Sequence, residues 1–400
     1  LFLSFGMFPE SEREKLGMGE RIDHRAGGLR GWLLAALIAV SGCAYEMPDL
    51  PEPARIQDSV LFPSNERVMT TYCTAGKFGE RSCHLAAFDL DGSNVKVYAT
   101  PPGHRWQGAR FSPDGKAFVF ELNDTGRFSN KLAIMNRASG QWRIIEGSDS
   151  FKNWPSYHPN GKQIVFAVFD RTPDNYQSTS HVKTSGADMH NLDLATNKVR
   201  ALTDFRFAKA GPPHFTGRGD EIVFGGYDPR KFLQDPNNSH HASSYDELYQ
   251  TDTIYTVNET KHDWRPDFVI DGGTSLAIRA YSGHPIPSRG GKIIYFRSNL
   301  GKVGRLINSS RSNAIWIREN GQNRKLFNFS AVTGLIYNST DFSLSSDKMY
   351  FLIWSSGRPF NSEEFDKGLW RVGVDGSNPR RLHIPWARLA VFTRKIAKAE

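Results

Sequence analysis

Four scarcities narrow the reading of this 400-residue chain. A membrane-spanning helix needs about 20 consecutive apolar residues, and the clearest apolar run, Trp32–Val40, falls well short of that. Cysteine occurs only three times, which excludes a small disulfide scaffold. No long segment spaces its apolar residues at the helical period, so an all-helical body is excluded. The GxSxG elbow, the P-loop, the dinucleotide fingerprint and HExxH are all missing. That last gap leaves open an enzyme whose site is gathered from distant loops. Charge is less decisive. The net charge of +8 favours anionic partners. No dense Lys/Arg run marks a nucleic-acid binder, and an ordinary solvated basic surface fits as well.

What the sequence has instead is repetition. "FSPDGKAFVF" (Phe111–Phe120) returns as "YHPNGKQIVF" (Tyr157–Phe166) and as "TGRGDEIVF" (Thr216–Phe224). Looser copies are Phe62–Tyr72, Pro287–Phe296 and Ser343–Trp354. Pro113 pre-sets the first corner of a turn, Asp114 suits the second, and Gly115 supplies the positive φ that closes a hairpin. The strand that follows is apolar on both faces, so it must be covered on both sides. A second hairpin-like phrase follows each copy, as in Cys83–Ala99, Lys131–Ile145 and Asp188–Thr203. One unit therefore holds four short strands. Six such units predict an all-β fold, a six-bladed β-propeller of four-stranded antiparallel blades over residues 56–400. Ring closure has two candidates, a last strand from Trp386–Lys395 or one from Val60–Phe62.

The front of the chain reads as an address. Residues 1–17 read as an upstream extension of the gene, and residues 18–42 as a signal peptide. Arg21, Arg25 and Arg30 form its basic start, and Trp32–Val40 its core. Val40-Ser41-Gly42-Cys43 resembles a bacterial lipobox, which implies lipidation of Cys43. Ala44 in the next position implies the outer membrane by the same resemblance, with the body facing the periplasm. Residues 43–55 are Pro-rich and acidic and read as a tether. Cys73 and Cys83 flank a turn-rich stretch, so they are either a disulfide across a hairpin or two free thiols. His84 alone does not complete a metal site there.

The repeats resemble the WD40-like repeats of the TolB propeller family. The match is best at Ser112–Lys116 and Phe88–Asn94 and fades in later copies. The resemblance covers residues 56–400 and not the α/β domain that TolB carries ahead of its propeller, which implies a relative of TolB rather than TolB itself. The resemblance implies binding of envelope partners.

In a four-stranded blade the first and third turns share one face of the disc, and the second turn and the inter-blade link share the other. The tight turns fall in the first group. The long segments Asp170–Ala187, Tyr227–Thr251, Arg297–Ser312 and Trp354–Lys367 fall in the second. The inter-blade links Thr100–Gly108, Asp149–Pro155, Asp204–Gly211 and Asp271–His284 share that face. Long loops carry function, so binding is expected on it, near the inner strands, at Arg105, Trp106, Trp154, Arg206, His214, Arg279 and His284. Arg with Trp suits an envelope protein or an acidic glycan. No cofactor, metal site or catalytic residue is assigned. The alternative is a propeller enzyme acting on polysaccharide, a lyase or glycoside hydrolase. A lyase would draw metal ligands from His181, His214, His240, His241 and His284.

Overall fold

The computed structural model describes residues 56–389 and Val391, except positions 65, 76–80, 99, 101–103, 125–129, 147–149, 170–185, 208, 229–252, 259–263, 270–277, 289–290, 302–311, 329–334, 346–348 and 360–365. The segments assigned above to upstream extension, signal peptide and tether lie outside them, Cys43 included.

The strands fall into six consecutive sheets, each built from one stretch of chain. Blade 1 holds β1 (Ile56–Leu61), β2 (Arg67–Ala75), β3 (Arg81–Asp89) and β4 (Lys96–Tyr98). Blade 2 holds β5 (His104–Phe111), β6 (Ala117–Asp124), β7 (Asn130–Asn136) and β8 (Trp142–Glu146). Blade 3 holds β9 (Phe151–Tyr157), β10 (Gln163–Phe169), β11 (Ala187–Asp193) and β12 (Lys198–Ala201). In blade 4 the inner strand is broken into β13 (Lys209–Ala210) and β14 (His214–Phe215), followed by β15 (Glu221–Tyr227), β16 (Thr253–Asn258) and β17 (Trp264–Val269). Blade 5 holds β18 (Ile278–Pro287), β19 (Ile293–Gly301), β20 (Ser312–Glu319) and β21 (Gln322–Asn328). Blade 6 holds β22 (Leu335–Leu344), β23 (Tyr350–Pro359), β24 (Asp366–Gly373) and β25 (Arg380–Leu382). The chain is a six-bladed β-propeller of antiparallel blades, in phase with the repeats.

The core is layered rather than central. Each second strand sends alternate side chains to opposite neighbours. On β6, Phe118 and Phe120 pack toward blade 1 with Leu85, Ala87 and Tyr98. Val119 packs toward blade 3 with Ile164, Phe166 and Leu192. The pattern repeats, with Val165 and Phe224 in the seam between blades 3 and 4 and Val223 and Tyr295 in the next. Full burial of each such side chain contributes roughly 1.5–3 kcal/mol. These six apolar seams are the main force holding the ring.

The tight turns add a second inter-blade contact. Ser112 accepts the Gly115 N–H at 2.8 Å through its carbonyl, and its hydroxyl donates to Asp114 at 2.6 Å. Gly115 has φ 66°, and a Cβ there would stand 2.8 Å from Pro63 Cγ on the turn of blade 1. The glycine therefore answers two demands, a left-handed backbone and room for the preceding turn.

Of the two candidates expected from sequence for the blade 1 slot, the front segment takes it and the end segment does not. Ile56–Leu61 is the inner strand of blade 1, and residues 386–389 form a helical turn, not a strand. Pro385 starts that turn, and its carbonyl accepts from Leu389 N–H at 3.0 Å. Blade 6 closes on blade 1 as any blade meets the next. Leu352, Leu369, Leu382 and Leu389 pack on Leu61, Val68 and Phe88. Ser343 Oγ donates to the Ser59 carbonyl at 2.6 Å.

Cys73 pairs with Cys83 directly across β2 and β3, and a disulfide joins them. The neighbouring His84 is buried, and its Nδ1 accepts the Thr100 N–H at 3.2 Å. Burial lowers its pKa from 6.5 to about 4, so the ring is neutral at pH 7.

Candidate functional site

The inner strands line the middle of the disc, and they are irregular. The ladder between β5 and β6 slips between Gln107 and Arg110, opposite Phe120. The ladder between β9 and β10 slips at Trp154 and Pro155, opposite Phe166. In blade 4 the interruption spans Gly211–Pro213 and splits the strand. In blade 5 the slip falls at His284 and Pro285. The prolines lack the donor a ladder needs and glycine weakens one, so the sequence itself forces these breaks. Bulges of this kind re-aim side chains and cluster beside sites.

Two of the expected residues sit in strained backbone. Trp154 has φ 57° and Arg206 φ 55°. Such conformations cost a non-glycine residue on the order of 1–3 kcal/mol and need support. In both cases a carboxylate gives it. Glu121, on β6, is 2% exposed and accepts the Trp154 N–H at 2.7 Å from the next blade. Asp188, at the head of β11, accepts Arg206 N–H at 3.2 Å, Phe205 N–H at 2.9 Å and the Thr203 hydroxyl at 2.7 Å. Arg206 projects to solvent, while Trp154 is half-buried against Phe169 at 5.6 Å between centroids.

Around Glu121 lies a buried polar cluster at the seam of blades 2 and 3. Gln107 donates to Glu121 at 2.8 Å. The Asn153 amide lies between Asn130 and Glu121, 2.8 Å from the first and 3.0 Å from the second. Asn130 also donates to the Lys152 carbonyl at 2.9 Å. Lys152 is 1% exposed, and its ammonium lies 3.8 Å from Glu146 and donates to the Asn130 and Ser150 carbonyls at 3.3 Å. Buried charges survive only when paired and hydrogen-bonded. Lys152, Asn130 and Asp188 all lie near strand starts next to the long-loop side, Arg206 lies in the link on that side, and Trp154 sits at the bulge midway along β9.

The remaining expectations divide. Arg105 is half-buried at the start of β5, and its Nε has no partner among the described residues. Trp106 is 2% exposed and packs at a tilt on Phe120, 4.9 Å between ring centroids. Its ring is taken up by packing, because strand alternation turns it into the seam with blade 1. His214 is half-buried on β14, with Ser156 Oγ 3.3 Å from its Nδ1. Arg279 and His284 belong to β18 rather than to a loop, since Arg279 pairs with Leu300 and Gly283 with Phe296. Their side chains lie outside the described residues, as do His181, His240 and His241. Among the described residues, no three His, Cys, Asp or Glu side chains gather as metal ligands. Two of the long segments are partly strand: β19 runs on to Gly301 and β23 to Pro359. Ladder bonding depends on the backbone, so their polar sequences hid it.

Sequence reasoning missed Glu121, Asn130, Lys152, Asn153 and Asp188. A signal for Glu121 existed: it directly follows Phe120 in a strand covered on both sides, so its carboxylate had to be buried and partnered.

The sequence matches no protein-family model and no curated protein. Solved structures do share the architecture. TolB from Acinetobacter baumannii is 15% identical, with a TM-score of 0.51 over 80% of this chain and 63% of that one. The match thus spans less than two thirds of that TolB chain. An oligogalacturonate lyase in complex with manganese is 14% identical, with a TM-score of 0.50 over 82% of this chain and 77% of that one. Tricorn protease is 13% identical, with a TM-score of 0.50 over 84% of this chain and 31% of that one. At these identities the likeness establishes the fold alone, a six-bladed β-propeller whose architecture TolB and these enzymes share.

Proposed function

We propose that this is an outer-membrane lipoprotein, anchored through Cys43 and facing the periplasm, whose propeller binds an envelope protein or acidic glycan by its long-loop side. One observation carries the reading. A buried carboxylate, Glu121, and a half-buried one, Asp188, on two successive blades hold Trp154 and Arg206 in left-handed backbone, Trp154 within an inner strand and Arg206 in the link on the long-loop side. Strain maintained by buried charge is costly, and such residues cluster at ligand clamps. Arg206 and Arg105 supply positive charge for an anionic partner, and Trp154 an aromatic edge. The likeness to TolB agrees with an envelope role by analogy of fold.

The test is capture from solubilised envelopes with the wild-type chain and with Arg206→Glu. The reading expects one or more partners, protein or glycan, held by the wild type and lost from the variant. Equal capture by both would refute it.

A second reading is supported by the likeness to the manganese-bound oligogalacturonate lyase: a polysaccharide lyase using His214 and the other histidines named from sequence. Metal analysis of the purified chain, followed by a lyase screen for the ultraviolet absorbance of an unsaturated product, decides it. Bound metal with turnover on an acidic polysaccharide establishes the lyase; neither leaves binding.

A further inference from the structure

The outermost strand of each blade has one unpaired edge facing solvent. Proteins protect such edges with Lys and Arg, and the described outer strands follow that rule. Lys96, Arg143, Lys198, Arg324, Lys325, Arg380 and Arg381 are all exposed. Blades 2 and 3 depart from it. On β8, Trp142 is 37% and Ile144 43% exposed, and on β12 Val199 is 39% exposed. Only two other large apolar side chains are as exposed among the described residues, Met349 and Val391, and neither lies on an outer strand. Edge protection explains Arg143 and Lys198. It does not explain apolar side chains set beside them, which run against it.

Alternation gives these strands a composite surface. Trp142 and Ile144 lie on one side of β8 and Arg143 on the other, with Arg143 opposite Ile134 in the ladder. On β12, Lys198 and Arg200 flank Val199. Trp and aliphatic side chains mixed with cations are the composition of surfaces that rest in a lipid headgroup layer. Two neighbouring blades share it, and a plane tangent to a disc meets the outer edges of two neighbouring blades. A peptide adding as a strand would engage one edge only.

We propose that the outer wall formed by β8 and β12 is a docking surface for an anionic bilayer. Cations of Arg143 and Lys198 engage the headgroups, and Trp142, Ile144 and Val199 enter the interface. This surface lies away from the inner strands and does not depend on the loop-side reading. A lipid on a flexible tether fixes distance but not orientation, so a second contact of this kind would set which wall of the disc faces the membrane.

The test is flotation of the full chain carrying Cys43→Ser, so that no acyl chain contributes. Vesicles of phosphatidylglycerol with phosphatidylethanolamine are compared with neutral phosphatidylcholine vesicles. The expected result is binding to the anionic vesicles that weakens with salt. Each cation removed should cost about five-fold in partitioning. Arg143→Gln with Lys198→Gln should therefore reduce it by more than ten-fold, and Trp142→Ser with Ile144→Thr should also reduce it. Lys325→Gln with Arg381→Gln, on the opposite wall, should leave it unchanged. Thermal unfolding of each variant confirms that the fold persists. Equal partitioning of the wild type and the β8–β12 variants overturns the proposal, because the front segment would then account for the binding. Absence of binding to anionic vesicles overturns it too. Loss of a soluble protein partner by the same variants, without vesicle binding, would reassign the wall to protein recognition.

Discussion

The two faces of the disc solve the same joining problem differently. On the tight-turn side, the same kinds of contact recur from blade to blade, within each turn and between one turn and the next. Ser112 and Ser345 close their turns through their hydroxyls, and His158 does so by accepting the Asn160 N–H on its ring at 3.0 Å. On the long-loop side the contacts are particular to each seam. Glu121 reaches across to Trp154, Lys152 to Asn130, and Asp188 to Arg206. The repeated face needs only to hold the ring. The individual face holds charge out of water and backbone in strain, which stability alone does not require.

That contrast can be broken at several points. The largest effect is expected at Glu121. Glu121→Leu strips an acceptor from Trp154 N–H and Gln107 and should cost about 3–5 kcal/mol in chemical denaturation. Asp114→Asn on the opposite face is the control. Its carboxylate is exposed, and hydrogen bonds from the Ser112 hydroxyl and then the Lys116 N–H hold its pKa below the ordinary range. Its midpoint should stay close to wild type. A large loss at Asp114 with none at Glu121 would reverse the comparison.

Next comes acid. His84 has a folded pKa of about 4 against 6.5 unfolded, because burial disfavours its charged form. Between those values the unfolded state binds a proton that the native state refuses. Stability is therefore complete above pH 6.5 and falls as the pH drops toward 4, by roughly 3 kcal/mol in all. Denaturation across that window should show the slope, and His84→Leu should flatten its share of it.

Smaller still is the turn glycine. Gly115→Ala meets both the positive φ and Pro63, and should destabilise by about 1–2 kcal/mol. Gly140, with φ 71° but nothing near its Cβ position, should lose less on the same substitution. Equal losses at both would mean that contact with the preceding turn contributes nothing.

The same contrast explains what could be read in advance. "SPDG" and "FVF" announce the tight face and the seams because turn chemistry and apolar periodicity are local. Blade number and phase followed from them. Cys73 and Cys83 announced a hairpin, though not whether it was oxidised. The loop side was legible only as composition. Trp154 and Arg206 stood out as residue types, but the carboxylates that fix them come from other elements, Glu121 from another blade. Trp106 looked the same in sequence and proved to be core, because which way a strand residue faces depends on its register beside a bulge. His284 and Arg279 read as loop residues because polar sequence conceals a ladder made by the backbone.

Site-specific photo-crosslinking in the intact envelope tests the central claim most directly. The probe would be placed at Arg206 on the long-loop side and at Asp114 on the tight-turn side. The account predicts a discrete adduct from position 206 and none from position 114. An adduct from 114 with nothing at 206 would show that recognition belongs to the repeated face, and the account would fail.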